Sequence, residues 1–307
     1  MSAVEAGTRA RRRAITGQHH GGAENADHEG WRARFEEASA RRTHAAHAPL
    51  TPVRTIVDVS AAFTLDAIGD AWSSSAFDGP FYQSRAGGGY SIGVVFVRSR
   101  DGNTGTRDPS SLGGGTVDEY LIFEGLSRVA ADAVVIGAGT LYRDSFFSVW
   151  RRELIELRRV LGLPRHPAQV ILTVDGSPCP DDVLVFNVPD VPVFVVTSPA
   201  GRDRLSPALE ARPWVHAILG PSLAEQFAQL RARGMTRFCS IGGRRSASEL
   251  VDAGLVQDVY LTTTSSSAGE PGTPWYVGKR SLSLQPVVVK EWDGPDGAVR
   301  FEHLCVR

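Results

Sequence analysis

Two glycine turns carry the residues of this chain best placed to do chemistry. Residues 131–144 read A-D-A-V-V-I-G-A-G-T-L-Y-R-D, and the apolar run over 133–136 stops abruptly at Gly137, Ala138, Gly139 and Thr140. Phe238, Cys239, Ser240 and Ile241 run likewise into Gly242 and Gly243, after which a helix-like stretch opens at Arg244. A buried strand that ends in a bare turn leaves main-chain N–H groups exposed at the start of the next helix. Those groups and the helix dipole attract an anion, typically a phosphate. Two such turns after two buried strands fit one ligand with more than one phosphate, such as a dinucleotide. Ser177, in the turn Asp175-Gly176-Ser177-Pro178, is placed to meet a ribose phosphate or simply to close a β-turn. Arg244 and Arg245 stand where they could neutralise a phosphate, or start a solvated helix.

Other chemistries lack their residues. Gly137-Ala138-Gly139-Thr140-Leu141-Tyr142 has no third glycine, so it is not the Rossmann fingerprint. There is no G-x-x-x-x-G-K-[ST], and no H-x-E paired with P-C-x-x-C. What remains is chemistry in which a bound cofactor carries the reactive atom and the protein orients it.

The elements that must position these turns alternate. Strands are expected at 55–59, 91–97, 133–136, 169–174, 193–197, 215–219, 236–241 and 256–263. Helices are expected from Thr116 (a capping box with Glu119), over about 146–161, from a Ser222 cap to Arg233, and over 244–253. Two closing strands, 285–290 and 298–306, flank Asp293-Gly294-Pro295-Asp296-Gly297 and predict an antiparallel hairpin. Strand–helix alternation implies an α/β fold with a mainly parallel sheet covered on both faces; the hairpin makes the sheet mixed. Residues 1–48 read as an N-terminal extension, a mobile tail with a short helix over 28–42 carrying Trp31 and Phe35. A loose, glycine-rich segment is expected up to Gly89, with the ordered body starting at Tyr90.

Composition narrows the rest. With 307 residues, 42% hydrophobic and 22% charged, the chain can bury a sizeable core. A net charge of −1 without long like-charge blocks gives no nucleic-acid surface. No apolar run reaches the ~18–20 residues of a membrane span, and no signal-peptide core opens the chain. Cys179, Cys239 and Cys305 lie far apart with no C-x-x-C, so neither a disulfide framework nor a thiolate zinc site is expected. His19 and His20 have no third ligand, and no metal site is expected. Reduced thiols and the missing leader point to the cytoplasm.

Four blocks resemble the pyrimidine reductase domain of riboflavin biosynthesis, in the dihydrofolate-reductase-like superfamily. Ser99-Arg100-Asp101-Gly102 is similar to the family's S-L-D-G, and 131–140 to its A-D-A-V-L-V-G-A-G-T. Ile241-Gly242-Gly243 stands where the family has E-G-G, and 253–261 is similar to A-G-L-V-D-E-L-x-L. The match spans roughly 90–306 and continues more loosely from about 50, so residues 49–307 are read as one reductase domain. The resemblance implies a three-layer α/β/α fold, NADPH as cofactor, and often a homodimer. It also implies hydride transfer to a pyrimidine ribosylamine 5′-phosphate or a related nitrogen heterocycle. Gly137, Ala138, Gly139, Thr140, Ser177, Gly242, Gly243 and Arg244 would hold the cofactor. Asp144, at the aspartate of the family's A-D-N-P, would act as acid near the substrate, and Asp101 would shape the turn beside the nicotinamide. Asp118, Glu119 and Glu124 are alternative acids, since dihydrofolate reductases place their carboxylate on that helix. Trp275 and Tyr276 either cover a planar ring or pack a late loop. Val95 and Ile241 replace a lysine and a glutamate of the family, and the Asn-Pro pair after Asp144 is lost. Two further readings therefore stand beside the first: a reductase of a specialised pathway acting on another C=N or C=O substrate, and a cofactor-binding protein without catalysis.

Overall fold

The computed structural model describes residues 28–86, 89–106 and 108–307; His19 and His20 lie outside them. In chain order the elements are helix α1 (His28–Ala45), strand β1 (Arg54–Asp58), β2 (Leu65–Ile68), α2 (Ala71–Ala76), β3 (Phe81–Ser84) and β4 (Ser91–Arg98). A single turn, α3 (Gly115–Val117), runs into a π-helix, Asp118–Leu126. Then follow β5 (Ala133–Gly137), α4 (Arg152–Val160), β6 (Ala168–Leu172), β7 (Val193–Val196), α5 (Pro199–Glu210), β8 (Val215–Ile218) and α6 (Leu223–Arg231). The chain closes with β9 (Arg237–Ser240), α7 (Arg244–Asp252), β10 (Asp258–Thr263), β11 (Leu284–Gly294) and β12 (Gly297–Val306).

Ten strands form one sheet in the order β1-β11-β12-β10-β4-β9-β5-β6-β7-β8. From β10 to β8 all neighbours are parallel; β12, β11 and β1 add an antiparallel flank. The parallel strands are buried on both faces, which is why they read as unbroken apolar runs: every residue of β5 and of β7 is buried. One face packs Val134, Ile136, Cys239 and Tyr260 with Leu121 of the π-helix and Leu154 of α4. The other packs Val135, Val196 and Phe238 with Phe227 and Leu230 of α6 and Leu250 of α7. This is the expected three-layer α/β/α arrangement, with the C-terminal hairpin closing at Gly294 and Gly297.

Three expectations are corrected. Ordered structure begins well before Tyr90: α1, β1, α2 and the β2–β3 ribbon precede it, and Phe77 and Phe81 are core residues at 2% and 0% exposure. Thr116 is no cap. Its hydroxyl donates to the Pro49 carbonyl (3.0 Å), and Gly114 holds the N-cap position. The helix expected from 146 begins only at Arg152, because 141–151 is an irregular segment whose backbone is held by side chains from elsewhere. Arg128 Nη1 donates to the Ser148 carbonyl (2.7 Å), and the Trp150 amide donates to Glu124 Oε2 (2.8 Å). Among the described residues, no helix is long and apolar enough to cross a membrane.

Candidate active site

The two glycine turns meet because β5 and β9 are parallel neighbours, with Val135 opposite Ser240. Both strands end at the same edge of the sheet, and the Ile241 amide still donates to the Val135 carbonyl (3.0 Å). Contact then demands glycine. A Cβ on Gly137 would fall 2.0 Å from Ser246 Oγ, and one on Gly243 would fall 2.9 Å from Thr140 Oγ1. Gly243 also sits at φ +83°, a conformation side chains disfavour. Gly139 is different: a Cβ there would meet nothing within 4 Å, because it faces open space.

That space is a cleft of ≈ 1100 Å³ along the C-terminal ends of the parallel strands. Gly137, Ala138, Gly139, Thr140, Gly243 and Arg244 line one end. Thr173, Asp175 and Ser177 after β6, Ser198 after β7, and Ser222 after β8 line the rest. Three helices begin at its wall. α5 is capped by Ser198, which accepts from the Gly201 amide (3.0 Å), α6 by Ser222, and α7 starts at Gly243. Three positive dipole ends converge on one cavity, an environment that favours an anionic ligand. Arg244 and Arg245 also border it. Ser198 and Ser222 went unassigned as site residues in the sequence, although each is a serine placed to cap a helix.

The remaining expected cofactor residues fall near or in the cleft. Ser177 lines it, with its hydroxyl donating to Asp175 Oδ1 (2.7 Å). That bond, the Ser177 amide and the Thr173 hydroxyl hold the Asp175 carboxyl below its usual range. Gly242 backs the wall; its Cβ would touch Thr140 Cγ2 at 3.2 Å.

The expected acids are scattered. Asp101 is exposed in a separate groove of ≈ 630 Å³, shared with Trp275 and Tyr276. Trp275 is packed against Phe96, with ring centroids 5.9 Å apart. Asp144 does not line the large cleft; it sits half-buried where its carbonyl accepts from Arg42 Nη2 (2.9 Å). Asp118, at the first position of the π-helix, is half-buried beside Thr262 on β10. Burial pushes its carboxyl up to about 6; the Thr262 hydroxyl opposes this and the Glu119 charge adds to it. β10 adjoins β4, whose other neighbour is β9 with the second glycine turn. Thr262 is near the C-terminal end of β10, so Asp118 stands on the cleft edge of the sheet, but like Asp144 it does not line the cleft.

Two arginines, Arg42 and Arg128, pack beside Glu124. Arg128, at 2% exposure, stacks 3.8 Å over the Phe123 ring, and its Nε and Nη2 find no hydrogen-bond partner among the described residues. Arg42 Nη1 is equally unpartnered there, while its guanidinium covers Trp150. Glu124 shares this site; burial drives its carboxyl up to about 7 despite the Arg128 charge. Nothing in the spacing of Arg42 and Arg128 marks them in the sequence, since only the fold brings α1 over the π-helix side.

No protein-family profile matches the chain, and no curated protein sequence does. Solved structures do. A pyrimidine reductase-like protein from Corynebacterium diphtheriae aligns over 71% of this chain and 92% of its own, with 20% identity and a TM-score of 0.55. RibD of Acinetobacter baumannii aligns over 71% of this chain with 15% identity and a TM-score of 0.50; the chain spans 58% of that protein's length. At such identities the likeness is one of fold.

Proposed function

We propose that this chain is an NADPH-dependent reductase related to the pyrimidine reductases of riboflavin biosynthesis. One observation carries the reading: two abutting glycine turns and three helix N-termini open on a single cleft of ≈ 1100 Å³. The cleft fits a dinucleotide diphosphate, since Gly139 leaves the space a side chain would fill. Main-chain N–H groups at Gly139, Thr140 and Gly243, with Arg244, would hold the phosphates, and Ser177 would lie by a ribose. When bound, the coenzyme supplies a hydride to an electrophilic carbon of the substrate.

The chain's own residues would do the rest. Asp118 is the acid we favour over Asp144 and Asp101, because it stands beside Thr262 at the C-terminal end of β10. Its carboxyl is pushed up to about 6, so a protonated fraction persists near neutral pH and can protonate the reduced substrate. Glu124 orders the segment carrying Asp144 through the Trp150 amide.

A related reading has one observation in its favour. Val95 and Ile241 are core residues at 5% and 6% exposure, so neither position offers the polar contact of the riboflavin enzymes. This supports a substrate of the same class but different substitution, as in a specialised pathway.

Calorimetric titration with NADPH and NADH, followed by NADPH oxidation with an aminouracil ribosylamine 5′-phosphate and its analogues, tests the proposal. Saturable binding is expected, with turnover on one of these substrates. No heat with either coenzyme would end the reductase reading. Tight binding without turnover on any would favour the non-catalytic one.

A further inference from the structure

At the opposite end of the sheet from the cleft, three side chains that the sequence keeps apart converge. Asp258 opens β10, and Cys305 lies directly across from it on β12; His303 sits opposite Tyr260, one side-chain repeat along the same face. All three are buried, at 2%, 8% and 1% exposure. Asp258 Oδ1 is the hub. His303 Nε2 lies 2.7 Å from it and Cys305 Sγ 3.8 Å. Ser84, at the end of β3, closes the fourth side: its hydroxyl donates to the same oxygen (2.7 Å) and lies 3.9 Å from Cys305 Sγ. Its amide donates to Asp258 Oδ2 (2.9 Å).

One carboxylate oxygen, one imidazole nitrogen and one sulfur all lie within 4.8 Å of one another. These are zinc's ordinary ligand atoms. A tetrahedral zinc site with bonds of about 2.0–2.3 Å separates its ligands by about 3.3–3.8 Å, so each atom here is within about an ångström of its place. We propose that Asp258, His303 and Cys305 form a zinc site, with a water in the fourth position, at the point where Ser84 ties the β2–β3 ribbon to the sheet.

The charge balances. The carboxylate and a thiolate together cancel the two positive charges of the ion, so the site is neutral in a buried setting where net charge is costly. The Cys305 thiol gives up one proton to solvent, forming the sulfur–zinc bond, and the imidazole binds through Nε2 as its neutral Nδ1–H tautomer. No electron is transferred. Because the cluster is enclosed, loading belongs to folding rather than to exchange in the folded chain. The site is separate from the coenzyme cleft, and its failure would leave the reductase proposal standing.

The full chain refolded with cobalt(II) in place of zinc provides the test. A sulfur-to-cobalt charge-transfer band is expected, saturating at one equivalent, abolished in Cys305→Ser and retained in Cys179→Ser. No band, or a band that survives Cys305→Ser, overturns the assignment. Should Cys305→Ser fail to fold, X-ray absorption of the zinc-refolded wild type decides. One sulfur with nitrogen and oxygen neighbours supports the site; a shell without sulfur overturns it.

Discussion

Gly137 and Gly243 end neighbouring parallel strands and stand so close that a Cβ on Gly243 would lie 3.8 Å from the Cα of Gly137. The two turns are thus one wall rather than two separate loops. Each leaves the other no room for a side chain, and the outer residue of the first, Gly139, opens on the cleft.

Gly139→Ala should separate binding from folding. The new methyl meets nothing within 4 Å, so the thermal midpoint should not move. The methyl would occupy space meant for the diphosphate, and the Kd for NADPH should rise about tenfold or more, about 1.4 kcal/mol. Gly137→Ala should lower stability as well, because its Cβ would fall 2.0 Å from Ser246 Oγ. Equal NADPH affinity in Gly139→Ala and wild type would remove the diphosphate from this wall.

Asp118→Asn should reduce kcat by about 10²-fold or more while leaving the Kd for NADPH unchanged. The pH profile gives the sign. The protonated form is the donor and its pKa is raised to about 6, so wild-type kcat should fall as pH rises through about 6. The variant should lack that limb. An unchanged limb in Asp118→Asn would assign the proton to another group.

Arg128→Lys keeps a positive charge but loses the planar fork that stacks on Phe123. The thermal midpoint should fall, because a lysine ammonium cannot both lie over Phe123 and replace Nη1 at the Ser148 carbonyl. An unchanged midpoint would mean that Arg128 does not hold the 141–151 segment in place.

His166 should make the α1 contact sensitive to acid. It lies against Phe35 of α1, Phe146 and Trp150, and its Nδ1 is 2.8 Å from Ser148 Oγ. Burial, then the Arg165 and Arg158 charges, lower its pKa from 6.5 to about 4. A depressed histidine pKa means the fold prefers the neutral ring. The stability it contributes is complete above 6.5 and is lost as pH falls through about 4. The thermal midpoint should therefore drop across that window, and His166→Gln should flatten the drop. A parallel curve for the variant would place the acid lability elsewhere.

Much of the parallel sheet was legible because burial on two faces leaves a plain signature. β4, β5 and β7 are nearly continuous apolar runs, and the sequence places each within a residue or two of its ends. The run Thr55-Ile56-Val57-Asp58-Val59 marks β1, but nothing in the sequence marks β2, α2 or β3. Those elements expose much of their surface or are only four to six residues long, and no periodicity survives at that length. The sequence predicts an ordinary helix where the π-helix stands. Its apolar residues recur at helical spacing, and the local sequence does not specify the wider turn.

The sequence by itself determined where bare turns follow buried strands, because glycine placement and apolar runs are local properties of the chain. Tertiary structure alone decided which distant groups became neighbours. It set Arg42 against Trp150, stood Asp118 beside Thr262, and drew Asp258, His303 and Cys305 around one oxygen. Strand order and register make those contacts, and both follow from packing the whole sheet, which no short stretch of residues encodes.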